Sequence, residues 1–202
     1  NSEYPPGSSW KMLIALAGLE EGIISENSTL LCRGGYQYGN RFFKCLGHHG
    51  NIDVKNAIKK SCNAFFYQLS LKLGAENVTK YGRMLNFGQL TKVDLPSEKE
   101  GNFQDFVTLK KRFNDNVPGW MLMNFGIGQG EILVTPVQMA SYIAAIANNG
   151  TWIQPHAVRK IYNNVTKSFQ NIEYEVKNLS SGTYIVKINT GSGSVSKKVL
   201  VK

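Results

Sequence analysis

Apolar positions recur at a helical period in several short stretches of the chain. From Ser8 to Glu21, the residues Trp10, Leu13, Leu16 and Ala17 fall on one face, and Gly22 follows as a stop. Leu31 to Gly50 is rich in Gly and Tyr and has no helical period, so it reads as an excursion of loop and short strand. The pattern then predicts a helix over Asp53–Lys60 with Asp53 as N-cap, a second over Ala64–Leu73 ended by Gly74, and a third over Asn77–Leu85 ended near Gly88. Residues 92–120 are polar and punctuated by Pro96, Gly101, Pro118 and Gly119, which reads as loops with short helical pieces. Thr135-Pro136-Val137-Gln138 opens a further helix: Thr caps, Pro takes the first helical position and Gln can complete a capping box. That helix is expected to end at Asn149-Gly150.

The composition changes after about residue 163. Tyr184–Ile188 alternates as a strand, Gly191-Ser192-Gly193 is a turn, and Val195–Val201 is a second strand. The expected fold is therefore mostly α with a small β part: a body over 1–163 and a β-hairpin tail over 164–202, joined somewhere between about 160 and 178. No internal repeat is visible.

The chain has 202 residues, 42% of them hydrophobic, which is enough to fill the core of one domain plus a small appendage. No run of about 18 apolar residues occurs, and no charged-then-apolar leader is present in these residues. The net charge of +9 comes from Lys and Arg spread along the chain, without a stripe of interleaved aromatics. That spread argues against a nucleic-acid partner and fits a solvated basic surface suited to an anionic envelope.

Ser8-Ser9-Trp10-Lys11 is a Ser-x-x-Lys at the start of a predicted helix. Positions i and i+3 share a face, so the Lys amine can reach the Ser hydroxyl. A hydroxyl is a poor nucleophile until a base takes its proton, and a desolvated Lys can be that base. The helix N-terminus can supply backbone N–H groups to an oxyanion. Ser61-Cys62-Asn63 lies at the junction of two predicted helices. On a turn, Ser61 could relay a proton and Asn63 could hold a substrate carbonyl or orient Lys11. Read alone, it is a Ser/Asn turn between helices.

Together the two elements resemble the Ser-x-x-Lys and Ser-x-Asn motifs of penicillin-binding proteins and class A β-lactamases. The lead-in Tyr4-Pro5-Pro6-Gly7 narrows the resemblance to elongation-type class B penicillin-binding proteins. Phe65-Phe66-Tyr67-Gln68, Val93-Asp94-Leu95-Pro96, Gly126-Ile127-Gly128-Gln129-Gly130 and Thr135-Pro136-Val137-Gln138-Met139 resemble later landmarks, so the resemblance spans roughly residues 4 to 160. It implies the helical subdomain of the transpeptidase fold, with Ser8 as acylated nucleophile, Lys11 as general base, and Ser61 and Asn63 as the second wall of the site. The implied partners are peptidoglycan stem peptides, β-lactams and, in a full-length relative, membrane proteins of the elongation machinery. The implied location is the cell envelope, on the periplasmic side of the inner membrane. No cofactor is implied for catalysis. The family's membrane anchor, pedestal domain and early sheet strands are not among these residues, so a truncated transpeptidase is expected.

The family also carries a Lys-Thr-Gly, which is not found here. The nearest string is Asn189-Thr190-Gly191-Ser192, a degenerate third motif or, by its composition, a turn of a Gly/Ser-rich hairpin. Residues 178–188 and the terminal Lys197-Lys198-Val199-Leu200-Val201-Lys202 resemble the C-terminal sorting domain of type IX secretion. Three functional readings follow: a D,D-transpeptidase, a non-catalytic secreted remnant of one, and a β-lactamase or β-lactam sensor. The lead-in and the Gly/Tyr excursion argue against the last.

Cys32, Cys45, His49 and Cys62 offer three thiolates and an imidazole, a ligand set of the closed structural-zinc type, at spacings of 13, 4 and 13 residues. Such a site would tie the 32–49 excursion to the turn at Ser61, and some elongation-type relatives carry a structural zinc in this region. His48 is an alternative to His49. A Cys32–Cys45 disulfide and unpaired thiols are the competing readings.

Overall fold

The computed structural model describes residues 2–158, 160–163, 168–171, 176–178, 182–190 and 193–201. The chain forms two compact units, Asn1–Leu90 with Lys99–Pro136, and Thr91–Glu98 with Val137–Lys202.

The first unit begins with a 3-10 turn, Gly7–Trp10, which runs into α1 (Lys11–Glu20). The helix expected from Ser8 thus starts as a tighter turn, and Lys11 is its first α-helical residue. Four short strands follow: β1 (Thr29–Cys32), β2 (Gly35–Tyr38), β3 (Arg41–Lys44) and β4 (Gly50–Asp53). β1 pairs antiparallel with β4, and β2 with β3, so the Gly/Tyr excursion is a hairpin inserted between two paired strands. α2 (Val54–Lys59) is capped as expected, with the Asp53 side chain accepting from Asn56 N–H. The two helices predicted on either side of Gly74 form one helical run, α3 (Asn63–Met84), kinked at Gly74 (φ 73°, ψ 170°). That left-handed backbone is open to a glycine, which is why the break falls there.

α4 (Phe106–Arg112) and α5 (Gly119–Gly126) lie in the stretch read as loops with short helical pieces. Pro118 and Gly119 hide α5 in the sequence: Pro118 is its N-cap and Gly119 its first residue. α3 packs against α1 and α5. Trp10, Leu13, Phe65, Phe66, Leu69 and Met123 are fully or almost fully buried. Each contributes roughly 1.5–3 kcal/mol by burial. Trp10 sits against Phe87 and Phe103, with ring centroids at 4.6 and 5.4 Å.

The second unit holds α6 from Val137 to its end at Ala147, with Pro136 as the first helical residue as predicted. It also holds more strand than the sequence suggested. β5 (Thr151–Ile153) pairs with β8 (Val176–Asn178), and β6 (Lys160–Asn163) with β7 (Ser168–Asn171). Each run is short and lacks clear alternation, so periodicity could not reveal it. β9 (Gly182–Thr190) pairs antiparallel with β10 (Gly193–Val201). The expected turn at Gly191-Ser192 and the expected junction at residue 164 lie outside the described residues. Val93-Asp94-Leu95-Pro96 has a local task in this unit: the Asp94 carboxylate accepts from Ala157 and Val158 N–H at 2.5 and 2.7 Å. Among the described residues no helix is long and apolar enough to cross a membrane.

Candidate active site and metal centre

Ser8 is exposed in the 3-10 turn, while Lys11 is 1% exposed. In a 3-10 turn side chains three apart eclipse one another. Lys11 N–H donates to the Ser8 carbonyl, which closes that turn. Lys11 Nζ then donates to Ser8 Oγ at 3.2 Å. It also reaches Ser61 O and Ser61 Oγ, both at 2.9 Å, and Asn63 Oδ1 at 2.6 Å. Ser61 Oγ donates to Ser8 Oγ at 2.8 Å. The four residues predicted for catalysis therefore form one proton-sharing cluster, and Lys11 is at its centre.

The turn at Ser61 explains the convergence. Ser61 has φ +50°, a left-handed conformation that costs a non-glycine residue on the order of 1–3 kcal/mol. α2 is closed off there by Ser61 N–H to Ile58 O and Cys62 N–H to Ala57 O. The bend sends Ser61 and Asn63 to Lys11 and Cys62 the other way. Burial lowers the Lys11 pKa to about 8, against the opposing pull of the Cys45 and Cys62 thiols. A lysine in that range gives up its proton near neutral pH, as a general base requires.

On the far side of the same turn, Cys32, Cys45, His49 and Cys62 bring their ligand atoms within 4.8 Å of one another. His49 Nδ1 is 3.5 Å from Cys32 Sγ and 3.7 Å from Cys45 Sγ, and Cys45 Sγ is 3.9 Å from Cys62 Sγ. Zinc–sulfur bonds of about 2.3 Å imply tetrahedral edges of about 3.8 Å. The widest pair exceeds the roughly 4 Å expected of a closed site, but the three named edges match it, and the residues fit a tetrahedral metal. All three cysteines are free thiols. His48 packs instead over Gly34, where an added Cβ would lie 2.6 Å from its ring. Burial pushes the Cys62 thiol up to about 12. Cys45 is moved the other way: burial raises it, but backbone N–H groups of Ala64, Gly47 and Asn63 and the Cys32 thiol bring it below its ordinary value. A divalent cation among these thiols would reverse the burial effect and favour thiolates.

Sequence reasoning missed one contributor. Lys11 Nζ lies over the Phe66 ring, 5.7 Å from its centroid. The Gly126–Gly130 segment, to which no chemistry was assigned, lies against the lead-in: Gly7 N–H donates to Gly128 O at 2.8 Å. The density of glycines was the available signal.

Residues 1–190 match the penicillin binding protein transpeptidase domain. The peptidoglycan D,D-transpeptidase MrdA of Acinetobacter baumannii is 34% identical over 165 residues, covering 77% of this chain and 24% of that protein. The penicillin-binding protein PBP2 of Helicobacter pylori superposes with a TM-score of 0.76 at 34% identity, over 89% of this chain and 32% of that one. The same Helicobacter protein in complex with MreC gives 0.74. The chain spans about a quarter to a third of the length of these relatives. With its match along nearly the whole sequence, the chain belongs to the penicillin-binding protein transpeptidase domain family.

Proposed function

We propose that this chain carries the acylation centre of a peptidoglycan D,D-transpeptidase that acts in cell-wall elongation at the periplasmic side of the inner membrane. The observation that carries the reading is Lys11 Nζ, buried and within hydrogen-bond reach of Ser8, Ser61 and Asn63 at once. Neutral Lys11 takes the Ser8 proton as Oγ attacks the carbonyl of the penultimate D-Ala of a stem pentapeptide. Ser61, bonded to both Ser8 and Lys11, passes the proton to the leaving amine. The terminal D-Ala departs, and an amine of a neighbouring strand later takes the acyl group. A β-lactam would acylate the same oxygen. The PBP2–MreC complex supports elongation-machinery partners for the intact protein.

Incubation with a fluorescent penicillin tests this reading. A covalent label mapped to Ser8 supports it, and slow labelling is expected because no Lys-Thr-Gly occurs in these 202 residues. No label favours a non-catalytic remnant, and rapid release of label favours a β-lactamase.

The ligand geometry supports a structural zinc held by Cys32, Cys45, His49 and Cys62, with no part in the chemical step. When bound, it would close loops whose ordering otherwise costs conformational entropy. Residues 178–202 are proposed as a separable module resembling a type IX sorting tail. Its deletion should leave the melting temperature nearly unchanged, and a large fall would show that its strands complete the transpeptidase sheet.

A further inference from the structure

The nucleophile turn is closed by its own hydrogen bonds, Lys11 N–H to Ser8 O and the Ser9 hydroxyl to Pro6 O, and is also held from outside. Gly7 has φ +58° and its N–H is bound to Gly128 O. Three residues farther out, Tyr4 and Val134 exchange both backbone hydrogen bonds at 2.9 Å. The lead-in is thus tied down at both ends by the segment that follows α5. Gly128 is buried there with φ +66°. A Cβ on it would stand 2.3 Å from Gly7 O, 2.7 Å from Trp10 Cβ and 2.8 Å from Gly7 N. Two of those three atoms are backbone, so they cannot swing away. Gly126 makes the same kind of approach on the opposite side. Its Cβ would meet Phe66 O at 2.6 Å and Ser70 Oγ at 2.5 Å, both on α3.

α3 starts at Asn63. The two glycines therefore set one backbone against the Ser8 turn and the other against the helix that carries Asn63. We infer that the Gly126–Gly128 segment is a positioning device for the acylation step: it fixes the spacing between the Ser8 turn and the Ser61–Asn63 wall, and Gly128 is its critical residue. It touches no reacting atom. Its effect runs through Gly7 to Ser8 Oγ, whose 3.2 Å contact with Lys11 Nζ is the longest in the cluster and has the least slack. Any side chain at 128 pushes the turn outward and lengthens that contact.

This inference rests on the reading of Ser8 as nucleophile, so its test has a readout that needs no reaction. In the full chain, Gly128→Ala is compared with Gly22→Ala. Gly22 has the same left-handed backbone (φ +64°) and nothing within 4 Å of an added Cβ, so it carries the conformational strain without the clash. A third protein replaces Gly7 by glycolic acid through ligation at Cys32, which deletes the N–H donor and adds no bulk. Penicillin concentration series separate noncovalent affinity from the acylation rate constant. The rate constant is expected to fall roughly ten- to hundredfold in Gly128→Ala, as displacement of a reacting group by a fraction of an ångström to an ångström brings. The glycolate protein should fall in the same direction, Gly22→Ala should keep the parent rate, and affinity should stay unchanged in all three. Equal rates in Gly128→Ala and Gly22→Ala overturn the inference. Should Gly128→Ala not fold, full-rate acylation of the glycolate protein overturns it equally. If the parent chain takes no label, the proposed function fails, while crystal structures of the parent and glycolate proteins still judge the inference. Ser8 Oγ moving out of hydrogen-bond range of Lys11 Nζ upholds it, and an unchanged contact overturns it.

Discussion

Ser61-Cys62-Asn63 separates two polar clusters that solve opposite problems. On one side, Lys11 is buried so that its charge is disfavoured, and it has more acceptor oxygens than protons. On the other, Cys62 is buried beside Cys32, Cys45 and His49, and burial pushes its thiol up to about 12. The first cluster is linked by hydrogen bonds between protein atoms. In the second, three sulfurs and an imidazole nitrogen lie within 4.8 Å of one another. Burial lowers the pKa of the amine on one side and raises that of the Cys62 thiol on the other, because on both sides it disfavours the charged form.

The largest test of the contrast removes a member of the amine cluster. Ser8→Ala and Lys11→Ala should each abolish penicillin labelling, the first by loss of the attacking oxygen and the second by loss of its base. Label that persists in Ser8→Ala shows that the nucleophile is another residue.

Next in size is removal of a metal from the thiol cluster. Protein purified without added metal is expected to contain about one zinc per chain. A strong chelator, or Cys62→Ser, should then lower the melting temperature by roughly 8–16 °C, the shift for about 4 kcal/mol of linked binding in a chain of this size. Labelling should fall with it, because Ser61 and Asn63 flank Cys62. Elemental analysis giving no zinc, or a Cys32–Cys45 disulfide seen by mass spectrometry, removes the proposal.

The pH dependence of acylation sharpens the amine side. With a Lys11 pKa of about 8, the neutral base is the minor form at pH 7 and the major form at pH 9. The acylation rate constant should therefore rise about tenfold over that range and level off above it. A flat profile would mean that Lys11 does not deprotonate in the rate-limiting step.

The smallest effect should come from Asp53→Ala, which removes the cap of α2 upstream of the shared turn. It should cost about 1 kcal/mol, or some 2–4 °C, and leave the labelling rate unchanged. A loss of labelling without a loss of stability would show that α2 sets the position of Ser61 more directly than the turn does.

Much of this was legible in the sequence. Ser8 and Lys11 stand three apart and announce a shared face, and Asp53, Gly74 and Thr135-Pro136 mark helix ends through local backbone preferences that need no tertiary partner. The ligand types at Cys32, Cys45, His49 and Cys62 were equally visible. What only the tertiary structure decided was convergence. The left-handed Ser61 turns two adjacent motif residues toward Lys11 and the one between them toward the thiols, and no periodicity encodes that choice. The choice of His49 over His48 follows from His48 packing over Gly34. α5 was hidden because Pro118 and Gly119 read as loop residues until burial against α3 outweighs them. Gly128 could be seen as a glycine, but the constraint on it comes from Gly7, 121 positions earlier in the chain: a Cβ added at 128 would stand 2.3 Å from Gly7 O, a clash that exists only once the chain has folded.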